Sequence, residues 1–257
     1  MPSTEDVRTL GQFLFSLRLL AIRKLGVGIR NVLAAIPRLP NLQQRDFDEA
    51  MQYAGLVQVQ SYKYYNQMQE LNAAWAGMGY GLCKHWGDIE KCDDEDREFK
   101  GKSTLSLSFT KTEFIIEKAL LWDAHSSWTG DSFRYNHLGY QNHLNSPSNG
   151  TFWEEMGSKV VEFANKTIKI EELLLMGEHA EEKMFLDTIW SALGDLDLTE
   201  IYTHIQKPGF NATYVVARGA AELAKRWEGQ PYGCVEGSWC DNRKPGDDDS
   251  KEELRLG

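Results

Sequence analysis

Residues 70–82, Glu-Leu-Asn-Ala-Ala-Trp-Ala-Gly-Met-Gly-Tyr-Gly-Leu, close a run of patterns that leaves few folds open. They follow a buried-strand pattern over residues 32–37. An amphipathic helix pattern comes next, over residues 41–55, with Phe47, Ala50, Met51 and Ala54 on one face. A short strand pattern covers residues 57–60. Strands that alternate with helices build an α/β sheet. Residues 67–82 read as the next helix despite Gly77 and Gly79. Each glycine weakens a helix by roughly 1 kcal/mol relative to alanine. The pair therefore predicts a place where another backbone comes close.

The rest of the chain extends this reading. Residues 4–25 are expected to form an amphipathic helix, with Leu10, Phe13, Leu14, Leu17, Ala21 and Leu25 on its inward face. Residues 84–102 are polar, include Asp93-Asp94-Glu95-Asp96, and read as a solvated loop. Leu105, Leu107 and Phe109 alternate with Ser106 and Ser108, the pattern of a half-buried strand, and residues 114–121 read as its hairpin partner. Residues 122–149 have weak periodicity and read as irregular, with short strands. Trp153, Met156, Val160 and Phe163 mark a helix, and the apolar run Leu173-Leu174-Leu175-Met176 predicts a central strand ended by Gly177. Helical spacing returns through Phe185, Ile189, Ala192 and Leu193. It returns again through Val216, Ala220, Leu223 and Trp227. The charged residues from Asp241 onward read as a disordered tail. There is no internal repeat.

Composition narrows the function classes. The formal net charge is −10 and the pI about 5.2. Phosphate backbones are bound by clustered Lys and Arg, so nucleic acid is not expected as a partner. No run of about 18 uncharged apolar residues spans a membrane. The apolar stretch over residues 10–22 contains Arg18 and follows Glu5 and Asp6, unlike a secretory leader. The four cysteines fall into two close pairs, Cys83 with Cys92 and Cys234 with Cys240. Neither spacing is that of a common zinc site. Reduced thiols in a cytoplasmic protein are the plainer reading. Two local disulfides are the alternative, and they need an oxidising compartment. Glycosylation tripeptides at Asn149, Asn165 and Asn211 keep that secretory alternative open.

The order of these motifs resembles the DnaK-type heat-shock chaperones, members of the actin-like ATPase superfamily. Their strand ending in Val-Pro is matched by Ala35-Ile36-Pro37, and their helix ending in Ala-Gly-Leu by Ala54-Gly55-Leu56. Their Glu-Pro-Thr-Ala-Ala-Ala-Leu-Ala-Tyr-Gly-Leu segment is matched by residues 70–82. Leu173 to Phe185 stand in the place of the chaperones' adenosine segment. Val216-Ala-Arg-Gly-Ala-Ala-Glu-Leu-Ala224 stands in the place of their Val-Ala-x-Gly-Ala-Ala helix. The likeness covers roughly residues 4–227 and is greatest to a divergent fungal group related to the chaperone ATPase domain. It implies an actin-like ATPase, or ribonuclease-H-like, α/β fold, incomplete at its N-terminus. The expected organisation is residues 1–83 as the remainder of a first lobe, 84–103 as an acidic loop, 104–240 as a second lobe and 241–257 as a tail.

The resemblance implies ATP and Mg2+ as the ligands of an intact cleft, and this chain departs from that cleft. The family's first phosphate hairpin and the lysine after it have no counterpart. The second hairpin, Asp-Leu-Gly-Gly-Gly-Thr in the chaperones, falls at Leu107-Ser-Phe-Thr-Lys-Thr112. Ser108 takes the place of a metal-orienting Asp, and Thr110 stands where a glycine would let backbone N–H groups reach phosphate. Gly177 and Glu178 stand in the adenosine segment, where Gly177 would lead an anion to a helix N-terminus and Glu178 would repel phosphate. Glu70 is in the place of a carboxylate that helps organise Mg2+, and its plainer role is to cap or solvate the following helix. The nucleotide-contacting set implied by the resemblance is thus Glu70, Ser108, Thr110, Gly177 and Glu178, with no catalytic residue.

No zinc-protease motif, nucleophile elbow or Walker loop occurs. His125 beside Ser127 reads as polar loop. Trp122, Trp128 and Trp153 are core or interface residues before they are a ligand pocket. The leading expectation is a degenerate chaperone-like ATPase domain that does not hydrolyse and acts by binding a protein partner or a second copy. Two alternatives stand beside it. One is an ATP-binding protein completed by a partner, and the other is an accessory or regulatory protein of a fungal metabolic pathway.

Overall fold

The computed structural model describes residues 3–38, 42–59, 68–125, 127–145, 149–165, 170–194 and 210–228. The fold is mixed α/β. The second cysteine pair and the tail lie outside the described residues.

Helix α1 (Glu5–Leu25) opens on Thr4, whose hydroxyl accepts the Val7 N–H at 3.2 Å, and closes on Gly26 at φ 71°. Glu5 and Asp6 in the first turn and Arg23 and Lys24 in the last oppose the helix dipole. Strands β1 (Asn31–Val32) and β2 (Ala35–Ile36) lead to α2 (Gln44–Tyr53), then to β3 (Val57–Gln58) and β4 (Met68–Gln69). β1 pairs with β3 and β2 with β4, both in parallel, so α2 is the crossover between them. The opposite edge of β1 and β2 has no strand partner among the described residues.

α1 packs against α2, but not through the face its large apolar residues suggest. Val7 and Gly11 are its buried residues, with Leu10 and Leu14 half-buried beside Phe47 and Met51. A Cβ at Gly11 would come within 2.7 Å of the Tyr53 ring. Arg18 also points inward, donating to the Ile29 and Ala54 carbonyls at 2.7 and 2.9 Å. A close glycine contact and a bonded arginine set the rotation of the helix, and Phe13, Leu17 and Leu25 are left exposed.

Helix α3 (Glu70–Gly77) follows β4 directly. It ends before residue 82, because Gly79 and Gly81 take positive φ of 86° and 60°. The acidic segment expected to be a loop instead holds helix α4 (Ile89–Glu98), N-capped by the Asp88 side chain.

A four-stranded sheet forms the centre, from β5 (Lys102–Phe109), β6 (Phe114–Leu121), β7 (Ser127–Tyr135) and β8 (Glu172–Met176). Its order is β7-β6-β5-β8. The first three are antiparallel and β8 runs parallel to β5. β7 occupies ground that reads as irregular in the sequence. After it come a 3-10 turn (Asn136–Leu138), α5 (Tyr140–Asn145) and α6 (Asn149–Asn165). β8 then leads to α7 (Lys183–Ala192) and α8 (Val215–Glu228). β8 ends the described sheet rather than occupying its centre. Its Leu173–Met176 run is apolar because both faces are covered.

The two faces hold separate cores. Leu105, Leu107, Phe109, Phe114, Leu173 and Leu175 pack with α6 and α7 through Met156, Val160, Phe185 and Ile189. Ala119, Leu121, Leu174 and Met176 pack on the other side with Leu71, Ala74 and Trp75 of α3 and Val215 of α8. α3 and α8 cross closely. A Cβ at Gly219 would lie 1.6 Å from the Ala73 carbonyl oxygen, and one at Gly77 would lie 1.9 Å from that of Val215. The glycine at position 77 thus meets a neighbouring backbone, as its helix-weakening presence suggests.

Candidate functional site

The carboxyl ends of β2 and β4 lie side by side, in the register Ile36↔Gln69. Each chain leaves its strand there, bringing Pro37 and Arg38 beside Glu70 at the start of α3. The central sheet supplies the floor. Its register sets Ser106 opposite Glu117 and Glu117 opposite Ser132 in one row. Ser108, Ile115 and Arg134 form the next. Leu105 and Leu107 face the α6–α7 core, so the serines between them point to the opposite face. Together these residues, with Gln69, Leu71 and Met176, line one cleft.

The cleft is polar, close and small. Ser106 and Ser108 are buried, Arg38 donates to the Thr129 hydroxyl at 2.9 Å, and Arg134 pairs with Glu113 at 2.9 Å. Burial is the main reason the Glu70 carboxyl is pushed up to about 7. The charges of Glu117 and Glu113 push the same way, and Arg134 opposes them. Burial also raises Glu117, with Arg38 opposing. The enclosed volume is about 20 Å³, space for roughly one water molecule.

Thr110, Gly177 and Glu178 gather further along β5 and β8, outside the lining of this cleft. The Glu178 carboxylate accepts the Lys111 backbone N–H at 2.8 Å. The Thr110 hydroxyl accepts the Thr112 and Glu113 N–H groups at 3.4 and 3.2 Å. Three successive N–H groups of the β5–β6 turn therefore already have acceptors. Gly177 has φ 99°, and a Cβ there would lie 2.3 Å from the Phe109 carbonyl oxygen. Its glycine is required by this strand-to-strand approach. α7 begins only at Lys183, with Glu182 as its N-cap, so Gly177 does not open onto a helix N-terminus.

Glu70 and Ser108 thus share a cleft, while the other three expected residues form a separate contact. Ser106, Glu117, Ser132, Arg38 and Arg134 are cleft residues that the sequence reading passes over. Polar residues alternating with Leu105 and Leu107 read as a solvent face. The signal for them is that the same strand face must also receive α3. Of the tryptophans, Trp153 is core while Trp122 and Trp128 are exposed, so the three do not line one pocket.

Cys83 and Cys92 are joined by a disulfide, with S–S 1.97 Å and Cα–Cα 5.2 Å. The bond ties the residues after α3 to α4. With both sulfurs so engaged, the nearby Asp96 carboxylate has no thiolate partners for a metal.

The sequence matches no protein-family model and no curated protein at a significant level. No helix among the described residues is long and apolar enough to cross a membrane.

The residues present do not fit a magnesium nucleotide. The cleft is water-sized, a serine stands where the resemblance places an aspartate, and the turn's N–H groups are taken by Glu178 and Thr110.

Proposed function

We propose that this chain is a degenerate relative of the chaperone-type ATPase domain that does not turn over ATP and acts through binding. The sheet supports the fold part of that reading. Three antiparallel strands, a helical connection and a fourth strand parallel to the first are what the opening of a ribonuclease-H-like unit calls for. The parallel β1–β3 and β2–β4 pairs with their α2 crossover are compatible with strands of a second such unit. The observation that carries the functional part is the β5–β6 turn. Phosphoryl transfer relies on positioned donors and metal-borne charge around the phosphates. Here a carboxylate of the chain itself, from Glu178, sits on the donor at Lys111.

The test is calorimetric titration with ATP and ADP, with and without Mg2+, alongside a phosphate-release assay. No Mg-dependent binding and no turnover above background are expected. Turnover that needs Mg2+ and is abolished by Glu70→Ala would overturn the proposal. Tight Mg-dependent binding without turnover would favour the alternative of an ATP-binding protein completed by a partner.

A further inference from the structure

We infer that α1 is a self-association surface that pairs antiparallel with α1 of a second copy of this chain. Phe13, Leu17 and Leu20 stay 59%, 46% and 50% exposed although α1 is docked on α2. They belong to a longer stripe. Asp6, Leu10, Phe13, Leu17, Leu20 and Lys24 recur at alternating spacings of four and three, and so fall on one face of the helix. That spacing is the apolar seam of paired helices. It runs beside the Val7–Gly11–Arg18 side that faces α2, so a second helix can lie against it without displacing the first. Phe15 and Leu19, also exposed, lie off this stripe.

The ends of the stripe choose the occupant. Its sequence is acidic, four apolar residues, basic, and it is symmetric about residue 15. A two-fold axis crossing the helix there sets Leu10 against Leu20 and Phe13 against Leu17 of the other copy. The same axis sets Asp6 against Lys24, at both ends at once. Neither Asp6 nor Lys24 has an ion-pair partner among the described residues. A parallel pairing would instead put Asp6 against Asp6 and Lys24 against Lys24, at a cost from like charges. An isologous two-fold contact needs one patch that complements itself, and this stripe does so in shape and charge.

Sedimentation velocity on the full chain from about 1 to 200 µM tests the idea, with Leu17→Glu, Asp6→Lys, Lys24→Asp and the double variant Asp6→Lys/Lys24→Asp. All three positions are exposed, and circular dichroism checks that each variant folds. A concentration-dependent dimer is expected, and Leu17→Glu should abolish it. Each single charge change should weaken it roughly tenfold, and the double change should restore it. A monomer throughout the range would overturn the inference. So would a dimer indifferent to Leu17→Glu, or a double variant no tighter than the singles. Vesicles of phosphatidylcholine and phosphatidylglycerol form a further arm. Binding to them by a protein that stays monomeric without lipid would reassign the stripe to a membrane surface and refute self-pairing.

Discussion

Replacing Glu70 with glutamine should stabilise the protein at alkaline pH and leave it nearly unchanged in acid. Two effects compete at this residue. A carboxylate in the first turn of α3 is favoured by the helix dipole, by about 0.3–1 kcal/mol. Burial acts the other way and dominates, raising the carboxyl from 4.5 to about 7. Between those values the folded protein holds a proton that the unfolded chain has released. Stability therefore falls as pH rises through about 4.5 to 7. At roughly 1.4 kcal/mol per pH unit the loss is about 3 kcal/mol once pH exceeds the folded value. Glutamine has nothing to ionise and nearly the same shape. Urea unfolding at pH 4 and pH 8 should give similar stabilities for the two proteins at pH 4. At pH 8 the variant should gain about 3 kcal/mol, or roughly 6–12 °C in Tm for a chain of this size. An equal difference at both pH values would refute the reasoning, because it would mean that Glu70 ionises freely in the folded state.

Gly219→Ala should cost at least about 2–3 kcal/mol in urea unfolding, because its Cβ would meet the Ala73 carbonyl oxygen at 1.6 Å. Gly28→Ala, with open space around it, should stay within about 0.5 kcal/mol, and equal costs would remove the argument for a close helix crossing. Cys83→Ser should lose about 2–3 kcal/mol, as expected for closing a loop of this length. Reductant should take the same amount from the unmodified protein, and no effect of reductant would mean that the bond is not formed. Glu178→Ala should cost about 1 kcal/mol and speed amide exchange at Lys111 roughly tenfold; unchanged exchange there would show that the carboxylate does not hold that N–H.

The elements legible in the sequence are those whose apolar residues recur with a period of their own. β5 and β6 show it, since Leu105, Leu107 and Phe109 alternate with polar residues and pair with Phe114 and Ile116. β7 was illegible because most of its residues are solvated and its place is held by backbone pairing to β6. α4 was hidden by an acidic run with no apolar period; the Asp88 cap and the disulfide to Cys92 locate it. The docking side of α1 is not legible in the apolar pattern, because Gly11 and Arg18 mark it and not the largest apolar residues. At the candidate site, Glu70 and Ser108 were reached through their places in the motif order. Glu117, Ser132 and Arg134 depend on cross-strand register, which no single segment encodes. The Glu178 contact to Lys111 joins residues far apart in the chain, and local pattern is blind to it.

The crossing of α3 and α8 acts as a pivot for the cleft. Backbone meets backbone at Ala73 and Gly219, with no side chain between them to change rotamer and take up slack. Any tilt of α3 must turn about that point. Glu70 stands three residues away along the helix, a lever arm of about 4.5 Å. A 10° tilt would then carry its backbone less than about 1 Å. Motion of this helix alone therefore cannot turn a water-sized cleft into a nucleotide-sized one. The contact that holds the other side of the cleft is the hydrogen bond from Arg38 to Thr129, and widening would have to break it.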